Sequence, residues 1–184
     1  MEEVYSLQWL NEPPKWTEGE RILSLEAAPG TDFWRKTHDN AVRDNGHFWC
    51  RRVSGDFMAD VEVSGEYGAL YDQAGLMVRL GETTWLKCGV EYVDGVKYAS
   101  VVVTRDFSDW SITEVAGEPE SIHFRVKREG GTFEVSYSLD GADYSMLRVA
   151  HLTDVETLAV GPMAAAPKGD GFSATFRGFE IRGA

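Results

Sequence analysis

Cysteine is nearly absent from this chain: Cys50 and Cys88 are the two among 184 residues, too few and too far apart for a disulfide framework. Two distant thiols of this kind are expected to stay reduced as small buried hydrophobes. Basic residues are also in short supply, 18 Lys and Arg against 30 Asp and Glu, for a formal charge of −12. A nucleic acid or an anionic membrane surface would be repelled at long range, so neither is expected as a partner. No run approaches the roughly 20 apolar residues that cross a bilayer. The opening MEEVYSLQWLNEPP carries neither the basic nor the apolar segment of a signal peptide, which leads to the expectation of a cytoplasmic protein.

Catalytic and cofactor signatures are missing as well. There is no Gly-x-Ser-x-Gly elbow, P-loop or dinucleotide fingerprint, and the glycines are spaced like turns, so no cofactor is expected. The four histidines, His38, His47, His123 and His151, are scattered without zinc-ligand spacing, and no metal is assigned. Asp39, Asp44 and Asn45 form the one oxygen-rich stretch that invites a thought of calcium.

What is present is enough apolar material, 43%, with 12% aromatic, for a buried core. Nothing in the sequence marks a repeat or a linker, so residues 1–184 read as a single domain. Beyond Arg52 the chain is made of short β-branched and aromatic runs broken by Gly, Asp and Ser. Asp94-Gly95 separates Trp85–Val93 from Val96–Arg105, and Asp-Gly suits a two-residue type I′ hairpin because both positions need φ > 0. Gly130-Gly131 joins the alternating runs Ser121–Arg128 and Thr132–Leu139, and Asp140-Gly141 marks a further turn. In Phe172–Ile181 the alternation changes parity at Gly178, which predicts a β-bulge. The first fifty residues hold four of the six tryptophans and the polar run Lys36–Asn45, and read as strand and loop. Many short strands with regular turns predict an all-β sandwich or barrel.

The Asp94-Gly95 turn also sorts side chains into faces. With Val93 opposite Val96, Glu91 faces Tyr98, Lys87 faces Val102 and Trp85 faces Thr104. Leu86, Cys88, Val90, Ala99, Val101 and Val103 share the other, uniformly apolar face, which must be the core side. Trp85, Lys87, Glu91, Tyr98, Ser100 and Thr104 then point outward. In Gln73–Leu80 the same parity buries Ala74, Leu76, Val78 and Leu80, and turns Gln73, Met77 and Arg79 out beside Lys87 and Glu91. Aromatic planes stack on sugar rings while charged and amide groups bond their hydroxyls, so this face suits a saccharide or a small polar metabolite. The alternative is a solvated face with cross-strand ion pairs, worth about 0.2–1 kcal/mol each.

Four spaced blocks, TDFWR at Thr31–Arg35, YDQAGLMVR at Tyr71–Arg79, WLKCGVE at Trp85–Glu91 and SVVVTRDFSDWS at Ser100–Ser111, together with the tail GPMAAAPKGDGFSATFRGFEI, resemble the "regulation of enolase protein 1"-like family of the concanavalin A-like lectin and glucanase superfamily. The resemblance spans nearly the whole chain. It implies a concanavalin A-like jelly-roll of two antiparallel sheets, one of them concave with a groove. It also implies that Asp32, Trp34 and Arg35 from an N-terminal loop, and Trp110 from a later one, approach Tyr71, Gln73, Arg79, Lys87 and Glu91. A shared fold is analogy rather than activity. A glycosidase needs paired carboxyl groups about 5–9.5 Å apart. The Glu-x-Asp-x-(x)-Glu strand of related glucanases has no counterpart in Asp60-Val-Glu62 with Glu66, which leaves Glu91 with Asp72 or Glu62 as the conceivable pair. Three readings therefore follow: a non-catalytic binding module, a glycoside-acting enzyme, and a regulatory domain that binds another protein.

Overall fold

The computed structural model describes residues 6–183. In chain order the strands are β1 (Gln8–Leu10), β2 (Lys15–Gly19), β3 (Ile22–Ala27), β4 (Phe33–Arg35), β5 (Val42–Asp44), β6 (His47–Ser54), β7 (Phe57–Gly65) and β8 (Gln73–Gly81). They continue with β9 (Thr84–Val93), β10 (Val96–Arg105), β11 (Phe107–Glu114), β12 (Ser121–Glu129), β13 (Thr132–Ser138), β14 (Ser145–His151), β15 (Thr157–Ala165) and β16 (Phe172–Gly183). Two seven-stranded antiparallel sheets form the sandwich: a front sheet in the order β1-β6-β15-β8-β9-β10-β11 and a back sheet in the order β14-β13-β12-β7-β16-β3-β2. The pairing of β4 with β5 makes a separate small hairpin. This is the all-β sandwich that the alternating runs predict, with the two antiparallel sheets that the family resemblance implies.

The period-two pattern generates the layers directly. Leu86, Cys88, Val90, Ala99, Val101 and Val103 of the front sheet meet Val61, Val63, Phe124, Val126 and Phe176 of the back sheet in one core. The Asp94-Gly95 turn has positive φ at both residues, 49° and 86°, and sets the register Val93↔Val96, Glu91↔Tyr98, Lys87↔Val102 and Trp85↔Thr104 as parity predicts. The ladder β12–β13 closes through Gly130-Gly131 with Glu129 opposite Thr132. At Gly178, φ is +62° and the register of β16 against β7 slips between Arg177 and Glu180, which is the predicted bulge.

The expected burial of Leu80 fails at a strand end, and the expected run Thr132–Leu139 stops one residue short. Leu80 is exposed rather than buried because the ladder β8–β9 slips between Arg79 and Gly81. Leu139 is exposed because β13 ends at Ser138 and Asp140-Gly141 lies within the loop 139–144, where the Asp140 carboxylate accepts the Ala142 and Asp143 N–H groups.

The outer face of the front sheet is where the fold departs from a plain sandwich. The β4–β5 hairpin lies over part of it, and Phe33, Phe48, Met77, Trp85, Val102 and Met163 form a second apolar cluster beneath the hairpin. Trp85 is fully buried there, edge-on to Phe33 at 6.2 Å. The outward parity of Trp85, Met77 and Thr104 is right, yet none of them meets solvent.

Candidate functional site

The uncovered part of that face forms a cleft of about 1200 Å³. Its floor comes from three strands, and its walls from the hairpin, the loop before β8 and the edge strand β11. Asp32, Trp34, Tyr71, Gln73, Lys87, Glu91 and Trp110 all line it. Ser100 lies under the Glu91 end in a small adjoining recess. Four other expected members are elsewhere, each for a definable reason. Trp85 is sealed under Phe33, with its indole N–H donated to Glu82 O. Arg79 makes a two-pronged ion pair with Asp44, 2.6 and 2.8 Å, with its guanidinium over the Phe33 ring. Arg35 is buried between Glu82 and Asp106, at 2.9 and 3.0 Å, and clamps the hairpin to the β8–β9 and β10–β11 turns. Tyr98 is half-buried opposite Glu91 and does not reach the cleft walls.

Sheet register explains why the floor is polar and recessed. Gln73 pairs with Glu91, and Met77 with Lys87, so Gln73 and Glu91 on one side and Lys87 on the other flank the row Gly75–Gly89–Ser100, whose small residues leave a hollow. A side chain on Gly75 or Gly89 would run into the backbone of the facing strand, at Cys88 and Ala74 respectively, so the strands approach too closely there for anything larger than hydrogen.

Lys87 donates to Phe33 O at 2.7 Å and Gln73 Oε1 at 2.6 Å, and is ion-paired with Asp32 Oδ1 at 3.5 Å. The Gln73 amide N–H donates to Tyr71 O at 3.1 Å and towards Asp32 Oδ1 at 3.5 Å. Asp32 Oδ1 also accepts the Phe33 N–H at 2.8 Å. The Glu91 carboxylate accepts the Trp110 indole N–H at 2.8 Å, and the same N–H lies 3.2 Å from Ser100 Oγ. Burial pushes the Glu91 carboxyl above its usual range; Lys87, Ser100 and Trp110 pull the other way, and the Asp32 charge adds to the rise.

The aromatic walls are fixed at a cost in backbone strain. Tyr71 has φ of +69°, a left-handed conformation unusual for a bulky residue. It is held there because Asp72 Oδ2 accepts the Gly68 and Ala69 N–H groups, while Tyr71 N–H bonds Tyr92 O and Tyr92 N–H bonds Asp72 O. The Tyr71 ring meets Trp110 edge-to-face at 6.1 Å. On the hairpin side, Trp34 donates its indole N–H to Thr37 O at 2.8 Å.

Neither carboxylate proposed to pair with Glu91 joins it. Asp72 is buried in the loop just described, and Glu62 is on the back sheet, where it accepts Ser121 Oγ–H. Asp39, Asp44 and Asn45 have other partners: Asp39 pairs with Arg43, Asp44 with Arg79, and Asn45 bridges Asp32 N and Gly30 O. Among the described residues, no group of three or more His, Cys, Asp or Glu is gathered for a metal, and no helix is long and apolar enough to cross a membrane. The cleft also takes in Thr37, His38, Asp39 and Arg43 of the hairpin, and Arg148 and His151 beyond the sheet edge. The polar run Lys36–Asn45 is the sequence signal for the first group; β14 carries no comparable signal for the second.

Fold and cleft together define an all-β sandwich of two seven-stranded antiparallel sheets with a cleft on the outer face of the front sheet. The chain belongs to the family described as Protein of unknown function (DUF1349), whose model matches residues 9–184. It is 38% identical over 168 residues to "Regulation of enolase protein 1" of Saccharomyces cerevisiae, covering 91% of this chain and 85% of that protein. A functionally unknown protein from Saccharomyces cerevisiae has a crystal structure that superposes with a TM-score of 0.93 at 36% identity, over 97% of both chains. The fold alone is shared with the GH43 protein BlXynB from Bacillus licheniformis, as its K247S mutant, at a TM-score of 0.78 and 18% identity, over 97% of this chain and 37% of that one. It is likewise shared with the carbohydrate-binding module CBM66 from Bacillus subtilis, at a TM-score of 0.63 and 12% identity over 97% of both.

Proposed function

We propose that this protein is a non-catalytic binding domain whose cleft takes a saccharide or a closely related polyol. The observation that carries the reading is the juxtaposition of Trp110 and Tyr71 with a buried carboxylate, Glu91, at the floor of one cleft. An aromatic wall offers a flat apolar surface to the C–H face of a sugar ring, and a fixed carboxylate accepts its hydroxyls. The fold shared with a carbohydrate-binding module supports the same reading by analogy.

Titration with a panel of neutral oligosaccharides, followed by tryptophan fluorescence and calorimetry, tests it. Trp110→Ala is expected to weaken binding at least tenfold, about 1.4 kcal/mol, while leaving the fold intact. A panel that binds nowhere, or that binds Trp110→Ala as well as the parent, removes the proposal. A second reading rests on the 38% identical relative: the domain modulates an enolase by binding it. Co-sedimentation with purified enolase, and enolase turnover with and without this protein, decide that reading; no complex and no change in rate would end it.

A further inference from the structure

The hydrogen bonds already made by the cleft's polar side chains decide what kind of sugar the floor admits. Lys87 is the cation on the floor, and its ammonium has three N–H groups. Two are donated to Phe33 O and Gln73 Oε1, and the charge is ion-paired with Asp32 Oδ1 at 3.5 Å. Its side chain is 7% exposed, so it cannot swing out to a ligand without breaking the hairpin's anchorage. The Gln73 amide has its oxygen occupied by Lys87 and its nitrogen turned towards Tyr71 O and Asp32. The Trp110 indole N–H is committed to Glu91 and Ser100. Donors that would otherwise greet a carboxylate or a phosphate are therefore already engaged.

Two atoms remain. Among the described residues, Glu91 Oε1 and Asp32 Oδ2 have no hydrogen-bond partner, and both belong to carboxyl groups that line the cleft. An ionised carboxylate only accepts hydrogen bonds. Of the other basic side chains around the cleft, Arg43 is paired with Asp39 and Arg148 with Asp109, while Arg105 and Lys168 are exposed, where solvent and salt screen them. We infer that the cleft selects uncharged, hydroxyl-rich sugars and turns away sugars bearing a carboxylate or a phosphate, because it presents free carboxylate acceptors while the Lys87 charge, the Gln73 amide and the Trp110 indole are engaged within the protein. This rests on the saccharide reading and narrows it.

The test uses matched pairs: glucose against glucuronate and glucose phosphate, and galacto-oligosaccharides against oligogalacturonates, titrated at neutral pH. The neutral member of a pair is expected to bind at least tenfold more tightly than its acidic partner. Asp32→Asn should narrow that gap, with Glu91→Gln as the second variant if the first does not fold. Acidic sugars binding as tightly as neutral ones would overturn the inference and leave the saccharide reading standing. A preference that survives unchanged in both variants would also overturn it, because the discrimination would then arise elsewhere. Binding by neither class would overturn both.

Discussion

Tyr71 shows how a single residue can be placed against its own preference. Its left-handed backbone costs on the order of 1–3 kcal/mol in general, and the Asp72 carboxylate and the Tyr92 backbone hold it in place. Asn tolerates this conformation far better than Tyr. Tyr71→Asn should therefore melt within a few degrees of the parent while losing saccharide affinity several-fold, as read by differential scanning calorimetry and titration. A large drop in Tm would show that the ring supports the fold rather than the site. Much at this scale was legible: parity alone placed Gln73, Lys87 and Glu91 on one face, and the register agrees. Whether such a residue is wet or covered was not legible. The cover over Trp85 comes from residues far away in the chain, and its turn has positive φ at Lys36, His38 and Asn40, where no glycine announces it.

The β4–β5 hairpin is the element that converts a sheet face into a cleft. Its main staple is the Arg79–Asp44 pair, with side chains 10% and 26% exposed. Breaking a buried ion pair costs about 3–5 kcal/mol, and the partial exposure of Asp44 lowers the expectation for Asp44→Asn to about 2–3 kcal/mol. Tm should fall, and amide exchange should quicken in residues 33–44 ahead of the rest of the protein. Uniform loss of protection would mean that the hairpin does not act as a separate cover. The glycine row makes the complementary case on the floor. Gly89→Ala drives a methyl into the Ala74 backbone, and overpacking of this kind costs about 1–3 kcal/mol, measurable by denaturant melts. Strand alternation was readable through most of both sheets. It misled at Leu80 and Leu139, where a register slip and a long loop end the pattern.

Two buried titratable groups shape the stability of the whole molecule against pH. His47 bridges distant loops, its Nδ1 2.7 Å from Asn11 O and its Nε2 accepting the Ala28 N–H at 3.0 Å, so the ring is neutral. Burial holds its pKa below the usual value. The unfolded chain then binds more protons than the native one as pH falls past the ordinary histidine range, and stability is lost on that side. Glu91 works in the opposite direction. Its pKa is raised, so the native protein holds the proton longer, and the stability this lends is present at low pH and lost as pH climbs through the folded value. Glu91→Gln should accordingly raise Tm by a few degrees above neutrality and change it little in acid, while His47→Gln should flatten the acid limb. Tm measured across pH for the three proteins checks both, and a parallel vertical shift for Glu91→Gln at every pH would refute the assignment.

The cleft draws its walls and floor from segments that begin at Gly30 and extend to Lys168. No short fragment of the chain carries the whole constellation, so the cleft is complete only once segments from both ends of that span have docked. Any molecule held there bridges early and late parts of the polypeptide, and its occupancy would be felt as resistance to unfolding by both sheets at once.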